Sequence, residues 1–312
     1  MIVSRQNRTL KDIRRLRRSK GARAPGERAL LEGPHLLAAA LDAGSPIETV
    51  VATAEFLASP AGRDLAAALP CLPLTVDPRL LDELADSDSP RGLLAVVRLP
   101  RGGAETLPVR PGGIYLYVEG LQDPGNLGAL ARVAEAAGAA GMALSAGTVH
   151  PNHPRALRAS AGSLLRLPVA VGVDPDLLDR HLRGPLDAAG DLGAAGDTAA
   201  AGDTGAAGDT GDHRAHAASR VHGAHFRAPR WMALVPRGGV DLYDALRDAP
   251  GGTIVLALGA EGPGVSPALL ERASFRLTIP VTPPVESLNA TVAAALTLFE
   301  LRRRRGFADG DG

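Results

Sequence analysis

Near the carboxyl end, "VESLNATVAAALTLFE" (residues 285–300) sets Glu286, Ser287 and Asn289 directly before a run of small and apolar residues. Such a run makes a buried helix, and one hydroxyl or carboxamide at its start satisfies free backbone N–H groups of the first turn. Ser287 and Asn289 are two candidates for a task that needs one. The surplus is either accidental or put to another use, and the rest of the chain decides between the two. Two further stretches are polar or glycine-rich where plain structure requires neither. In "LALGAEGPGVS" (256–266) an apolar strand runs into Gly259, Ala260, Glu261, Gly262, Pro263 and Gly264. Ligands of open parallel sheets sit beyond the carboxyl ends of strands, and glycine lets backbone approach them closely. In "DPGNLGALARVAEAAGA" (123–139) Asn126 reads as the N-cap of a small-residue helix after an Asp-Pro-Gly turn. Arg132 is the odd cation in that helix, and Glu135, three residues on, offers it an ordinary surface partner.

These groups need a scaffold. "IYLYVEGL", "GMALSA", "RLPVAV", "RWMALVP", "GTIVLAL" and "FRLTIPV" are apolar runs of strand length separated by helical stretches, the pattern of a mostly parallel α/β sheet. Upstream, "RTLKDIRRLRRSKGAR" predicts a basic helix with Leu10, Ile13 and Leu16 on one face. Strand–helix alternation through "ALLEGPHLLAAALDAG", "IETVVATAEFL" and "CLPLTVDPRLLDELAD", then the strand "GLLAVVRLP", predicts a smaller α/β unit. The Pro/Gly-rich "PRGGAETLPVRPGG" (100–113) reads as a linker, dividing residues 1–105 from 106–312. Residues 187–220, built on repeated Gly-Asp-Thr, lack the large apolar groups that offset the entropy of ordering and read as a disordered insertion.

With 34 basic and 34 acidic side chains in 312 residues, net charge makes no case for nucleic acid. Its distribution does: residues 4–28 are dense in Arg and almost free of acid, a patch of the kind that contacts phosphates. The single cysteine, Cys71, excludes an intramolecular disulfide and a multi-cysteine metal site, and no metal is expected. No stretch reads as a signal peptide or a membrane span, so the expected location is cytoplasmic, with no membrane partner. A nicotinamide Rossmann site lacks its Gly-x-Gly-x-x-Gly, and Lys11 and Lys20, the only lysines, leave no P-loop.

Taken in order, "LQDPGNLGALARVAEAAGA", "VLALGAEGPGVS" and "LTIPVTPPVESLNATVAAALTLFE" resemble the three motifs of the SpoU-type (TrmH-like) RNA ribose 2′-O-methyltransferases of the SPOUT superfamily, over about residues 112–305. "RALLEGPHLLAAALDAG" and "SPRGLLAVVRLP" resemble the small ribosomal-protein-like domain that precedes the catalytic domain in many members. The resemblance implies a mostly parallel α/β catalytic domain tied in a deep trefoil knot, preceded by a small α/β RNA-binding domain. It also implies S-adenosylmethionine as cofactor, RNA rather than DNA as partner, and a homodimer with its active site at the interface. Asn126, Arg132, Glu261, Ser287 and Asn289 fall on the family's polar active-site positions. Leu258, Gly259, Glu261, Gly264, Ile279, Pro280, Ser287, Leu288 and Asn289 fall around the cofactor. The implied reaction is methyl transfer to a ribose 2′-hydroxyl, and the added domain favours 23S ribosomal RNA. The same chemistry on tRNA and a non-catalytic knotted RNA-binding protein are the alternatives. "VTPPVESLN" departs from the family's usual apolar residue with Gly at the adenine side.

Overall fold

A computed structural model describes residues 1–18, 27–86, 91–183, 228–248 and 250–306; the Gly-Asp-Thr stretch at 187–220 lies outside the described residues. The first unit comprises α1 (Arg8–Arg18), β1 (Arg28–Glu32), α2 (Pro34–Asp42), β2 (Ile47–Ala52), α3 (Ala54–Ala58), α4 (Pro60–Ala68), β3 (Leu74–Thr75), α5 (Pro78–Asp82) and β4 (Leu93–Arg98). Its four strands lie in the order β1-β4-β2-β3, with β4 antiparallel to both neighbours and β3 parallel to β2. Alternation along a strand sends successive side chains to opposite faces. Leu30, Val51, Leu94 and Val96 accordingly cluster with Leu10, Ile13 and Leu16 of α1 and with Leu80 and Leu81 of α5. The expected apolar face of α1 is the buried one. Ala29, Leu31, Val50, Ala95 and Val97 join a different cluster, shared with α2 and with helices of the second unit.

That second unit is built from β5 (Ile114–Val118), α6 (Pro124–Ala136), β6 (Gly141–Leu144), α7 (Pro154–Ala159), α8 (Ser163–Arg166), β7 (Val169–Ala170) and α9 (Pro175–Arg183). After the undescribed stretch come β8 (Arg230–Leu234), β9 (Val240–Asp241), α10 (Leu242–Ala245), β10 (Ile254–Leu258), α11 (Pro267–Arg272), β11 (Phe275–Thr278) and α12 (Ala290–Arg305). The strand order is β7-β6-β5-β10-β8-β11-β9, and every pairing is parallel. Parallel sheets are covered on both faces and their strands read as continuous apolar runs; β5 and β10 are buried at every residue. Tyr115 and Tyr117 lie in the layer with α9 and α11, whereas Leu116 and Val118 lie with Leu127 and Leu130 of α6 and Leu298 and Leu301 of α12. From β5 the chain winds outward to β6 and β7 on one side, and it builds β8 to β11 on the other. The β5–β10 boundary is therefore a switch point, where open α/β sheets bind ligands.

Leu99 and Arg101, just past β4, tie the first unit to the second by specific contacts. Arg101 donates from Nε to Asn152 Oδ1 (2.9 Å) and from Nη2 to the Leu164 carbonyl (2.7 Å), while Asn152 Nδ2 donates to the Leu99 carbonyl (2.8 Å). Withdrawal from water pushes the Arg101 guanidinium down to about 10, against the opposing pull of the Glu27 carboxylate. No helix among the described residues is long and apolar enough to cross a membrane.

Candidate active site

The carboxyl ends of β8, β10 and β11 run into loops that, with the start of α12, enclose a cavity of about 390 Å³. Leu234, Leu258, Ile279 and Leu288 give it apolar walls, and Glu261, Ser287 and Asn289 bring polar groups to it. Gly259 and Gly264 also line it, so of the nine positions assigned to the cofactor only Pro280 is absent. Pro280 is exposed between Ile279 and Val281, which do line the cavity. Leu234, Val235 and Pro236 complete the wall and were not singled out from the sequence. The signal that would have found them is the one used for Gly259: they stand at the carboxyl end of a parallel strand.

The β10 loop doubles back tightly. A Cβ built on Gly259 would lie 1.9–2.1 Å from the Gly264 carbonyl carbon and oxygen and the Val265 nitrogen, so the turn closes only around glycine. Gly264 N donates to the Ala260 carbonyl at 2.9 Å. The far end of the loop is tethered by Glu119, which follows β5 and accepts from the Ser266 N–H at 2.8 Å. Sequence reasoning passed over Glu119, because its partner stands 147 residues away.

Helix α6 begins at Pro124, and Asp123 Oδ1 accepts from the Asn126 N–H at 2.8 Å. Asp123, not Asn126, is therefore the N-cap: proline suits the first helical position, and an aspartate immediately before it supplies the acceptor. This correction releases the Asn126 carboxamide for other work. Its Nδ2 donates to Glu261 Oε1, and its Oδ1 accepts from Asn289 Nδ2 at 3.3 Å. Asn289 Oδ1 in turn accepts from the Thr291 N–H at 2.9 Å and caps α12. Ser287 lines the cavity and is not the cap. The surplus polar residue of the opening motif thus faces the cavity, while Asn289 serves both helix and site.

Arg132 is exposed and does not line the cavity. Six residues beyond Asn126, it sits about 9 Å further along α6 and about 240° round its axis. Its expected partner is taken, since Glu135 is gripped by Arg166 Nε and Nη2 at 2.7 and 2.8 Å. That bidentate bond holds the Glu135 carboxyl below its usual range. At the mouth, Arg237 Nη2 and Glu286 Oε1 meet at 3.1 Å, bridging the β8 loop to the segment before α12.

The cavity fits S-adenosylmethionine. Its size is that of a small-molecule site, its walls suit a nucleoside, and the glycine loop presents backbone without side chains. Among the described residues no group of three or more His, Cys, Asp or Glu is arranged to hold a metal.

A family model described as the SpoU rRNA Methylase family matches residues 113–182 and 217–299, and one for an MRM3-like substrate binding domain matches residues 7–95. The chain is 31% identical over 313 residues to an uncharacterized tRNA/rRNA methyltransferase of Synechocystis sp., covering 100% of this chain and 96% of that one. It is 26% identical over 301 residues to the 23S rRNA (guanosine(2553)-2′-O)-methyltransferase RlmP of Bacillus subtilis, covering 96% and 98% respectively. An AdoMet-bound rRNA methyltransferase from Sinorhizobium meliloti has the same fold, with a TM-score of 0.73, 26% identity and 97% of each chain covered.

Proposed function

The chain belongs to the SpoU rRNA Methylase family, and on that premise we propose that it transfers a methyl group from S-adenosylmethionine to a ribose 2′-hydroxyl of RNA, with 23S ribosomal RNA as the favoured substrate. One observation carries this reading: Asn126, Glu261 and Asn289, from three distant segments, are joined by hydrogen bonds beside a cavity that fits the cofactor. The choice of RNA rests on the Bacillus subtilis relative, which matches nearly the whole chain, and on the substrate-binding match over residues 7–95. Residues 1–105 select the RNA, residues 106–312 carry the transfer, and a ribosomal substrate sets the work in the cytoplasm.

Bound cofactor supplies an activated sulfonium methyl, so a carbon–sulfur bond breaks as a carbon–oxygen bond forms and the 2′-hydroxyl proton passes to solvent water. The protein's part is to orient the reactants, an effect of about 7–11 kcal/mol when complete, and to manage the charge on that oxygen. Ile279, Leu288 and the Gly259 loop form the seat. Asn126, held between the Glu261 carboxylate and the Asn289 amide, has its carboxamide orientation decided for it. Arg132 brings a planar guanidinium with five N–H donors and no acceptor. It stabilises the developing 2′-oxyanion or clamps a neighbouring phosphate rather than taking the proton.

Arg132 acts from a second copy of the chain. Val292, Leu296 and Phe299 are 47%, 39% and 41% exposed and recur at i, i+4 and i+7, an apolar stripe of helical period that nothing among the described residues covers. Pairing of these stripes about a twofold axis gives a self-complementary dimer, which brings the partner's guanidinium to a cavity that its own cannot reach. In this proposal the trefoil knot is formed around residues 279–289, which run from β11 to α12 and contribute Ile279, Val281, Ser287, Leu288 and Asn289 to the cavity wall.

Two measurements test the function. Calorimetry should show uptake of S-adenosylmethionine, and ribose-methylation mapping of unmodified 23S rRNA incubated with enzyme and cofactor should show a new 2′-O-methyl group. Transfer to tRNA alone would replace the substrate; no cofactor uptake would end the proposal.

A further inference from the structure

The first unit carries a concentration of charge that the methyl-transfer site does not use. On α1, Arg8, Lys11 and Arg15 fall at i, i+3 and i+7, so they form one stripe about 10 Å long. All three are exposed. Between this stripe and the sheet opens a polar notch of about 520 Å³, walled also by Asp12, Arg28 and Thr49. The notch is firmly built, because Leu10, Ile13 and Leu16 bury the other face of α1. The neighbouring acids are committed: Asp12 Oδ2 meets Arg28 Nη2 at 2.6 Å, and Glu48 Oε2 meets Arg28 Nε at 2.6 Å. The Asp12 carboxyl is held below its usual range chiefly by that Arg28 hydrogen bond, with Arg15 and Arg8 adding their fields. Both carboxylates thus serve Arg28, and the stripe keeps its positive charge.

We propose that this notch is a phosphate subsite for the RNA substrate, with Arg8, Lys11 and Arg15 taking successive backbone phosphates and Arg28 fixed behind them. The proposal rests on the reading of the chain as an RNA methyltransferase and adds where the RNA is gripped. Helix α1 covers the face of the first sheet that carries Leu30, Val51 and Val96, opposite the face that shares a core with α6 and α7. Contacts there hold RNA away from the nucleotide that is methylated. They add affinity and register without reading bases, and guanidinium pairs with phosphate in bidentate fashion.

The test titrates the full-length protein with 23S rRNA transcribed in vitro over a salt series. Wild type is compared with the triple variant Arg8→Ala, Lys11→Ala, Arg15→Ala, whose new residues keep helix propensity. Loss of three phosphate contacts should make the log–log salt slope shallower by about 2–3 and weaken low-salt binding by roughly tenfold or more, with cofactor uptake unchanged. The double variant Arg8→Lys, Arg15→Lys should keep the slope. Arg63→Ala, an exposed cation of α4 on the other side of the sheet, should leave slope and affinity as they are. An unchanged slope in the triple variant, or an equal loss in Arg63→Ala, overturns the subsite. RNA binding that depends on the three cations but brings no methyl transfer would sink the enzyme reading and leave the subsite standing; transfer indifferent to them does the reverse.

Discussion

At Gly259 a single methyl group decides whether the β10 loop can close, since its carbon would meet the Gly264 carbonyl at about 2 Å. Overpacking of this kind costs about 1–3 kcal/mol. Gly259→Ala should therefore weaken S-adenosylmethionine binding about 10- to 100-fold by calorimetry, whereas Gly251→Ala, with open space around it, should leave it unchanged. Equal affinities would mean that the loop is not the seat. Arg132 offers the complementary case, a residue outside the cavity whose proposed role is electrostatic. Arg132→Ala should lower kcat by about 10²–10³, the usual effect of removing one oxyanion donor, with cofactor affinity intact. Arg132→Lys should not restore the rate, because a point charge lacks the planar fork of a guanidinium. Loss of cofactor binding in parallel with the rate would count against the assignment.

Helix α12 shows how an element carries both site and stability. Asn289 starts it, Ala294, Leu298 and Leu301 bury it, and near its end Glu300 is held by Arg303 (2.7 and 2.8 Å) and Arg304 (2.7 Å). These hydrogen bonds bring the Glu300 carboxyl down to about 2 from a usual value of 4.5. A carboxylate whose pKa is depressed in the folded state stabilises the fold above its unfolded pKa and loses that contribution as pH falls through the folded one. Thermal melts from pH 6 to pH 2 should thus show wild type losing its advantage over Glu300→Gln between pH about 4.5 and about 2. A melting-temperature difference constant across that range would show that the two arginines do not stabilise the carboxylate. Much of this element is legible locally: a small apolar run, a cap before it and arginines toward its end are short-range signals. Helix α6 shows the limit. Asp123, Pro124 and Asn126 all suit a helix start, and only the position of Pro124 at the first turn settles which residue caps.

For the whole molecule, the decisive matter is that one chain does not bring Arg132 to its own cavity. Mixing Arg132→Ala protein with Asn289→Ala protein should recover activity that neither has alone. Random pairing makes half the dimers mixed, each with one intact composite site, so the recovery should approach about a quarter of wild type. Two inactive variants that stay inactive when mixed would place all the catalytic groups in a single chain. Replacing Phe299 by Glu should abolish both dimer and transfer, as read by sedimentation and methyl incorporation, because it sets a charge in the exposed stripe of α12.

Taken alone, the amino-acid sequence determined the alternation of strands and helices, the basic face of α1, the glycine loop and the polar cluster ahead of α12. Each of these rests on periodicity, composition or contacts a few residues apart. The fold alone decided that Glu135 goes to Arg166 across 31 residues, that Asn126 reaches Glu261 across 135, and that Glu119 holds Ser266 across 147. It also decided that Arg101, in a stretch whose composition says linker, is anchored to the second unit through Asn152 and Leu164. Such pairings depend on which strand lies beside which. That order is set by burial of the whole sheet, and no local stretch of sequence contains it.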